Sequence, residues 1–244
     1  MAIYTSKTRI DLEDVGYSNK ITNKAILKIL ENAGARQSET IHFGLNDMEN
    51  VGFSWILLGW KVKILKRPIY NEELTINTWG RDSNRIFTYR DYEIYDESGE
   101  LCAIATSKWA IVDINTGKLR ELTPEIIEKY QCETKKVFEE DYTLKLKEPV
   151  TIIRKQEYKA QRRDIDINKH IHNLYYLDYA YEALPEEVYE APECNNIEIM
   201  YKKQIRLNDE FKCLYTKEEN QNIVTMKSED ENTLHAILSY IKGF

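Results

Sequence analysis

The chain has four cysteines in 244 residues: Cys102, Cys132, Cys194 and Cys213. They are scattered. None stands in a C-x-x-C or other metal-ligating spacing, so they read as reduced structural thiols, and neither a metal nor a cofactor is expected. No run approaches the roughly 18 apolar residues of a membrane span. The opening MAIYTSKTRIDLED lacks the apolar stretch of a signal peptide, and the expected location is the cytoplasm. A basic surplus is also missing. Lys and Arg number 34 against 41 Asp and Glu, a formal charge of −7, which argues against a nucleic-acid partner. What is present is a globular balance, 42% hydrophobic and 31% charged, with 17 Tyr and 6 Phe to fill cores and an apolar slot.

The residues read as one design used twice. A strand around Thr8–Leu12 and a polar loop precede a helix from about Thr22 to Ala33, striped by Ile26, Leu27 and Leu30 and stopped at Gly34. Strands are expected at Ser54–Leu65, Glu73–Trp79, Arg85–Tyr95 and Leu101–Asp113, then a short helix at Thr123–Gln131 with Pro124 in its first turn. Residues 132–149 are charged and read as a linker. The order then returns: a strand at Val150–Ala160, a polar loop at Gln161–Ile171, and a helix from His172 to Leu184. Strands follow at Ile197–Ile205, Phe211–Tyr215, Ile223–Lys227 and Leu234–Ile241. Without gaps, DLEDVGYSNKITNKAIL from Asp11 lies on QRRDIDINKHIHNLYYL from Gln161, and NEEL at Asn71 meets NDEF at Asn208. The expectation is two α+β halves, 1–131 and 150–244, each a helix against an antiparallel sheet.

The densest polar cluster is RRDIDINKHIHN, Arg162 to Asn173. If it is extended, Asp166, Asn168 and His170 share one face, directly before a helix whose first amides point back at them. That is the equipment that thioester hydrolysis needs. Asp166 or His170 serves as the base for water, Asn168 positions a group, and the amides receive the oxyanion. Turn and capping chemistry accounts for a D-x-N-x-H string equally well, but the overlay separates the two readings. The first half has Gly16, Ser18 and Lys20 in these places, although its scaffold residues repeat. A polar trio present in one half only points to one working site. His172 is expected as a capping or surface residue, and His42 and His235 in structural roles.

RRDIDINKHIHNLYYLDYAYEALP resembles the signature of plant and bacterial acyl-acyl carrier protein (acyl-ACP) thioesterases, D-x-D-x-N-x-H-x-N-N-x-x-Y followed by an aromatic-rich helix with a Glu. SWILLGWKVKILKRPIYNEELTINTW and FTYRDYEIYDESGELCAIATSKWAIVD resemble the same family's first half. The resemblance implies a double hot-dog fold, catalytic roles for Asp166, Asn168 and His170, and an acyl chain carried on acyl carrier protein as substrate. The asymmetric trio, for its part, suggests a degenerate first half kept for structure or for the acyl chain. One departure stands out: the family's plant members carry a Glu-Cys pair where this chain has Gln204 and Ile205. Gln cannot be a general base but can hold a water or orient His170, and Ile cannot be a nucleophile. Arg154, Lys155, Lys159, Arg162 and Arg163 form a basic stretch opposed only by Glu157, either a solvated edge or a landing site for an acidic carrier. The competing readings are an acyl-CoA thioesterase and a non-catalytic acyl-chain binding protein, as a monomer or a homodimer.

Overall fold

A computed structural model describes residues 3–81, 85–139, 145–189 and 195–241. The chain divides into two compact units, Met1–Leu58 with Val62–Tyr142, and Gly59–Lys61 with Thr143–Phe244. The first contains β1 (Tyr4–Arg9), α1 (Asn23–Thr40), α2 (Met48–Val51), β2 (Phe53–Ile64), β3 (Glu73–Gly80), β4 (Thr88–Tyr95), β5 (Leu101–Asp113), β6 (Leu119–Arg120) and α3 (Pro124–Tyr130). The second contains β7 (Arg154–Lys159), α4 (Tyr175–Ala183), α5 (Glu186–Tyr189), β8 (Asn196–Tyr201), β9 (Glu210–Glu218), β10 (Gln221–Ser228) and β11 (Leu234–Ile241). Strand order is β1-β3-β4-β5-β2 in one and β7-β9-β10-β11-β8 in the other, the same plan in the same chain order. Helix α1 packs on β1 and β3, and α4 on β7, β9, β10 and β11. This is the hot-dog arrangement, present twice.

Thr22 caps α1 by accepting a hydrogen bond from the Ala25 amide at 3.1 Å. Ile26, Leu27, Ile29, Leu30 and Ala33 then form its buried face. Each large aliphatic side chain buried there contributes about 1.5–3 kcal/mol. The expected stop at Gly34 does not occur. The helix runs through to Thr40 because Gly34 serves packing instead. A Cβ there would stand 3.0 Å from the Tyr92 hydroxyl and 3.1 Å from Arg90 Cδ. Beneath it the buried Arg90 donates to Gln37 and, at 3.2 Å, to Thr78, and stacks over Tyr130. These bonds offset the cost of burying a guanidinium.

Further boundaries differ from expectation, among them three that bear on the two repeated loops. β1 covers Tyr4–Arg9 rather than Thr8–Leu12, α4 starts at Tyr175 rather than His172, and β8 ends at Tyr201, leaving Gln204 and Ile205 beyond the strand. The described part of 132–149 contains no helix or strand, yet it is docked. The Glu133 amide bonds the Gly80 carbonyl at 2.9 Å, the Trp79 indole bonds the Lys135 carbonyl at 3.0 Å, and Leu146 packs against Met200, Ile223 and Ile237. Cys102 and Cys213 are buried free thiols whose pKa burial pushes up, Cys132 is a half-buried thiol, and Cys194 lies outside the described residues.

Candidate active site

Asp166–His170 is a tight turn, not the extended run that alternation suggested. The Asp166 amide donates to the His170 carbonyl (2.9 Å) and the Lys169 amide to the Asp166 carbonyl (3.0 Å), with Lys169 held at φ 63°. The first half makes the same turn. Gly16 donates to Lys20 at 3.0 Å, Asn19 donates to Gly16 at 2.9 Å, and Asn19 has φ 57°. The flanking pairs match too: Ile165 with Ile171, and Val15 with Ile21. A short 3-10 turn precedes each, closed by a buried Asp. Asp164 accepts from the Gln161 amide at 2.7 Å, and Asp14 from the Asp11 amide at 3.1 Å. The scaffold is therefore common to both halves, and the D-N-H side chains are added to it in one.

The turn brings the ends of the motif together. Asp166 Oδ2 lies 3.7 Å from His170 Nδ1, and Asp166 Oδ1 accepts the Asn168 amide at 2.8 Å. The Asp166 and His170 side chains are mostly buried, 13% and 20% exposed, while Asn168 sits exposed at the turn's apex. His170 Nδ1 is also 3.1 Å from the Ile171 carbonyl. A carbonyl only accepts, so that contact requires the proton on Nδ1 and leaves the Nε2 lone pair available as a base.

The helix amides are less available than expected. His172 Nδ1 accepts the Leu174 amide (3.2 Å) and the His172 carbonyl accepts that of Tyr175 (2.9 Å), so His172 acts as the cap that Thr22 provides in the other half. Two tyrosines that composition alone did not single out brace the site. Buried Tyr176 accepts the Ile205 amide through its hydroxyl at 3.3 Å, and burial pushes its pKa up to about 12. Tyr201 donates to the Asn173 carbonyl at 3.1 Å. The only sequence signal was the tyrosine-rich helix after the motif.

Residues 202–206 run beside the turn: Ile171 donates to the Ile205 carbonyl at 2.8 Å, and His170 and Arg206 form a β-bridge. Gln204 is exposed in this segment. With its amide oriented to satisfy both groups, its oxygen accepts from Arg206 Nη2 at 3.0 Å. Its counterpart in the first half is Arg67, since Ile21 bonds the Pro68 carbonyl as Ile171 bonds that of Ile205. Arg67 donates to the Ile21 carbonyl (2.9 Å) and to Asn23 (2.6 Å). Most of the basic stretch lies on β7 and is internally engaged. Lys155 pairs with Glu231, Lys159 with Glu210 at 3.2 Å and Arg163 with Asp164 at 3.7 Å, while Arg154 donates to the Leu184 carbonyl. Arg162 is exposed. Among the described residues no cluster of His, Cys, Asp and Glu could hold a metal ion, and no helix is long and apolar enough to cross a membrane.

A family model for the acyl-ACP thioesterase N-terminal domain matches residues 1–130, and one for the C-terminal domain matches 147–241. The oleoyl-acyl carrier protein thioesterase 2, chloroplastic, of Arabidopsis thaliana is 25% identical over 238 residues. The match covers 91% of this chain and 65% of that protein, so the chain spans somewhat under two thirds of its relative's length. An acyl-ACP thioesterase structure from Bacteroides thetaiotaomicron superposes at TM-score 0.86 with 22% identity, covering 99% of this chain and 98% of the other. The 12:0-ACP thioesterase of Umbellularia californica superposes at 0.86 with 16% identity, covering 98% and 96%; both likenesses bear on the fold. With its two halves matched in order by both models, the chain belongs to the acyl-ACP thioesterase family.

Proposed function

We propose that the protein hydrolyses the thioester of a fatty acyl chain on acyl carrier protein, releasing the free fatty acid. The observation that carries this reading is the one-sided turn: two loops with the same backbone hydrogen bonds, of which only the second bears Asp166, Asn168 and His170. In the proposed reaction His170 Nε2 takes a proton from water, whose oxygen bonds to the thioester carbonyl carbon. Asp166, 3.7 Å from Nδ1, supports the charge that forms on the ring. The exposed Asn168 side-chain amide, at the apex, donates to the developing oxyanion. When the C–S bond breaks, the proton passes from His170 to the leaving thiolate, so acid and thiol are formed without a covalent enzyme intermediate. Gln204 is assigned to water or imidazole positioning, and the first half to the acyl chain. Free, buried thiols suit a reducing compartment, and the cytoplasm is the proposed location, with the protein acting as a monomer or a homodimer.

The test is thiol release from matched acyl-ACP and acyl-CoA series. Turnover is expected on acyl-ACP and is expected to persist in EDTA. Acyl-chain binding without thiol release would make the protein a carrier. Activity lost to EDTA and restored by zinc would overturn the metal-free mechanism.

A further inference from the structure

The segment from β8 to β9 occupies the place in its unit that the segment from β2 to β3 occupies in the other. Lys202 donates to the His235 carbonyl at 2.8 Å as Leu65 donates to that of Cys102 at 2.8 Å. At matched positions the first half has exposed Leu65, exposed Ile69 and Asn19, where the second has Lys202, Arg206 and Lys169. The fourth position is lysine in both halves. Lys66 is tied to Asp96 (2.6 Å) and Glu100 (2.5 Å), whereas Lys203 has no such partners. All four cations of the second half are exposed, and among the described residues none has a carboxylate side-chain partner. Asp209 accepts the Arg206 backbone amide at 2.8 Å, Asp166 shares the turn with Lys169, and the Arg206 guanidinium faces Gln204.

The fold does not require three of these charges, since its other copy has Leu65, Ile69 and Asn19 in their places, and there the fourth, Lys66, is neutralised by Asp96 and Glu100. In a chain of net charge −7 they form a local cluster of positive charge, none of it paired with a carboxylate side chain among the described residues. Their position is informative. Arg206 is bridged to His170, Lys169 lies inside the catalytic turn, and Lys202 is at most about 14 Å of chain from Arg206. The lysines of β7, by contrast, already have acidic partners.

We propose that Lys169, Lys202, Lys203 and Arg206 form the surface on which an acidic acyl carrier protein docks, at the rim of the His170 site. This rests on the hydrolase reading above and names the handle that reading left to be tested. Rim charges of this kind act through encounter rate and partner choice more than through buried contact.

The experiment measures binding, not turnover. The probe is a fluorescently labelled acyl carrier protein whose arm bears a non-hydrolysable acyl amide, titrated by anisotropy. K202E/K203E is expected to weaken binding at least tenfold and to flatten its salt dependence. K202Q/K203Q, with half the charge change, is expected to fall between. K155E/K159E on β7 alters the charge equally and is expected to stay within about threefold. Undiminished binding by K202E/K203E, or equal losses in the two reversed pairs, overturns the proposal. So does an equal loss for the matching acyl-CoA amide, which would mean phosphate contact rather than carrier docking. Because binding is read without chemistry, an inactive wild type would remove the hydrolase reading while leaving the docking result to stand or fall alone.

Discussion

At position 204 the two halves differ by one side chain with direct consequences for the site. Arg67 fills the corresponding place in the first half and donates to the Ile21 carbonyl and Asn23. The equivalent carbonyl in the second half, Ile171, is the one that holds His170 Nδ1. An arginine at 204 in the same conformation would compete for that carbonyl and bring a cation against the imidazole. Gln204→Arg is therefore expected to lower kcat on acyl-ACP about tenfold or more. Gln204→Ala is expected to cost only a few-fold, since lost positioning is milder than a lost base. Steady-state kinetics of both variants decide this, and an unaffected Gln204→Arg would remove position 204 from the site. The residue types at the site were readable in advance because hydrolysis demands a base and a polar partner at short spacing. Their geometry was not. Alternation suggested an extended run, whereas the backbone closes on itself through the Asp166 and Lys169 amides, with Lys169 in the left-handed region that side chains seldom suggest.

Among the elements, helix α1 shows what local signals can and cannot give. Its cap and apolar stripe were legible. Its end was not, because glycine is read as a stop when no tertiary partner is in view. Here the glycine admits Tyr92 and Arg90 from the sheet. Gly34→Ala pits better helix propensity, about 1 kcal/mol in favour, against overpacking of typically about 1–3 kcal/mol. Net destabilisation is expected, measured as a lower urea midpoint with unchanged slope; a stabilised variant would show that the Arg90 layer can give way. Strand β8 failed in the opposite direction. IEIMYKKQIRL reads as one strand, but the hydrogen bonds of Lys202 to His235 and of Ile171 to Ile205 carry the chain out of the ladder after Tyr201 and along the turn.

For the whole molecule, duplication was the most legible feature, since element order and the Asn71–Asn208 match survive even where side chains have diverged. Both asparagines take positive φ, 71° and 70°. What one sequence could not show is which charges are neutralised within the fold, because Glu231, Glu210 and Asp164 reach the basic stretch from other elements or turns. Overall stability has a titratable element at His235. It is buried and donates to the Lys203 carbonyl at 2.8 Å, and desolvation lowers its pKa below 6.5, against a smaller upward pull from that carbonyl and Asp209. The unfolded chain thus binds the proton more readily. The His235 contribution is whole above about pH 6.5 and is lost as the pH falls through the lowered folded value. Urea titrations at descending pH are expected to show that loss, and His235→Asn, which keeps a donor but does not titrate, is expected to flatten it. A wild-type profile level through this window would contradict the assignment.

The central claim is that one of two equivalent turns performs the chemistry. It is tested most directly by kcat/KM on acyl-ACP for alanine at His170, at Asp166 and at Lys20, the counterpart of His170. The account predicts losses of about 10²-fold or more at His170 and Asp166, with the fold intact by thermal melting, and a change of no more than a few-fold at Lys20. Equal losses at Lys20 and His170 would contradict it.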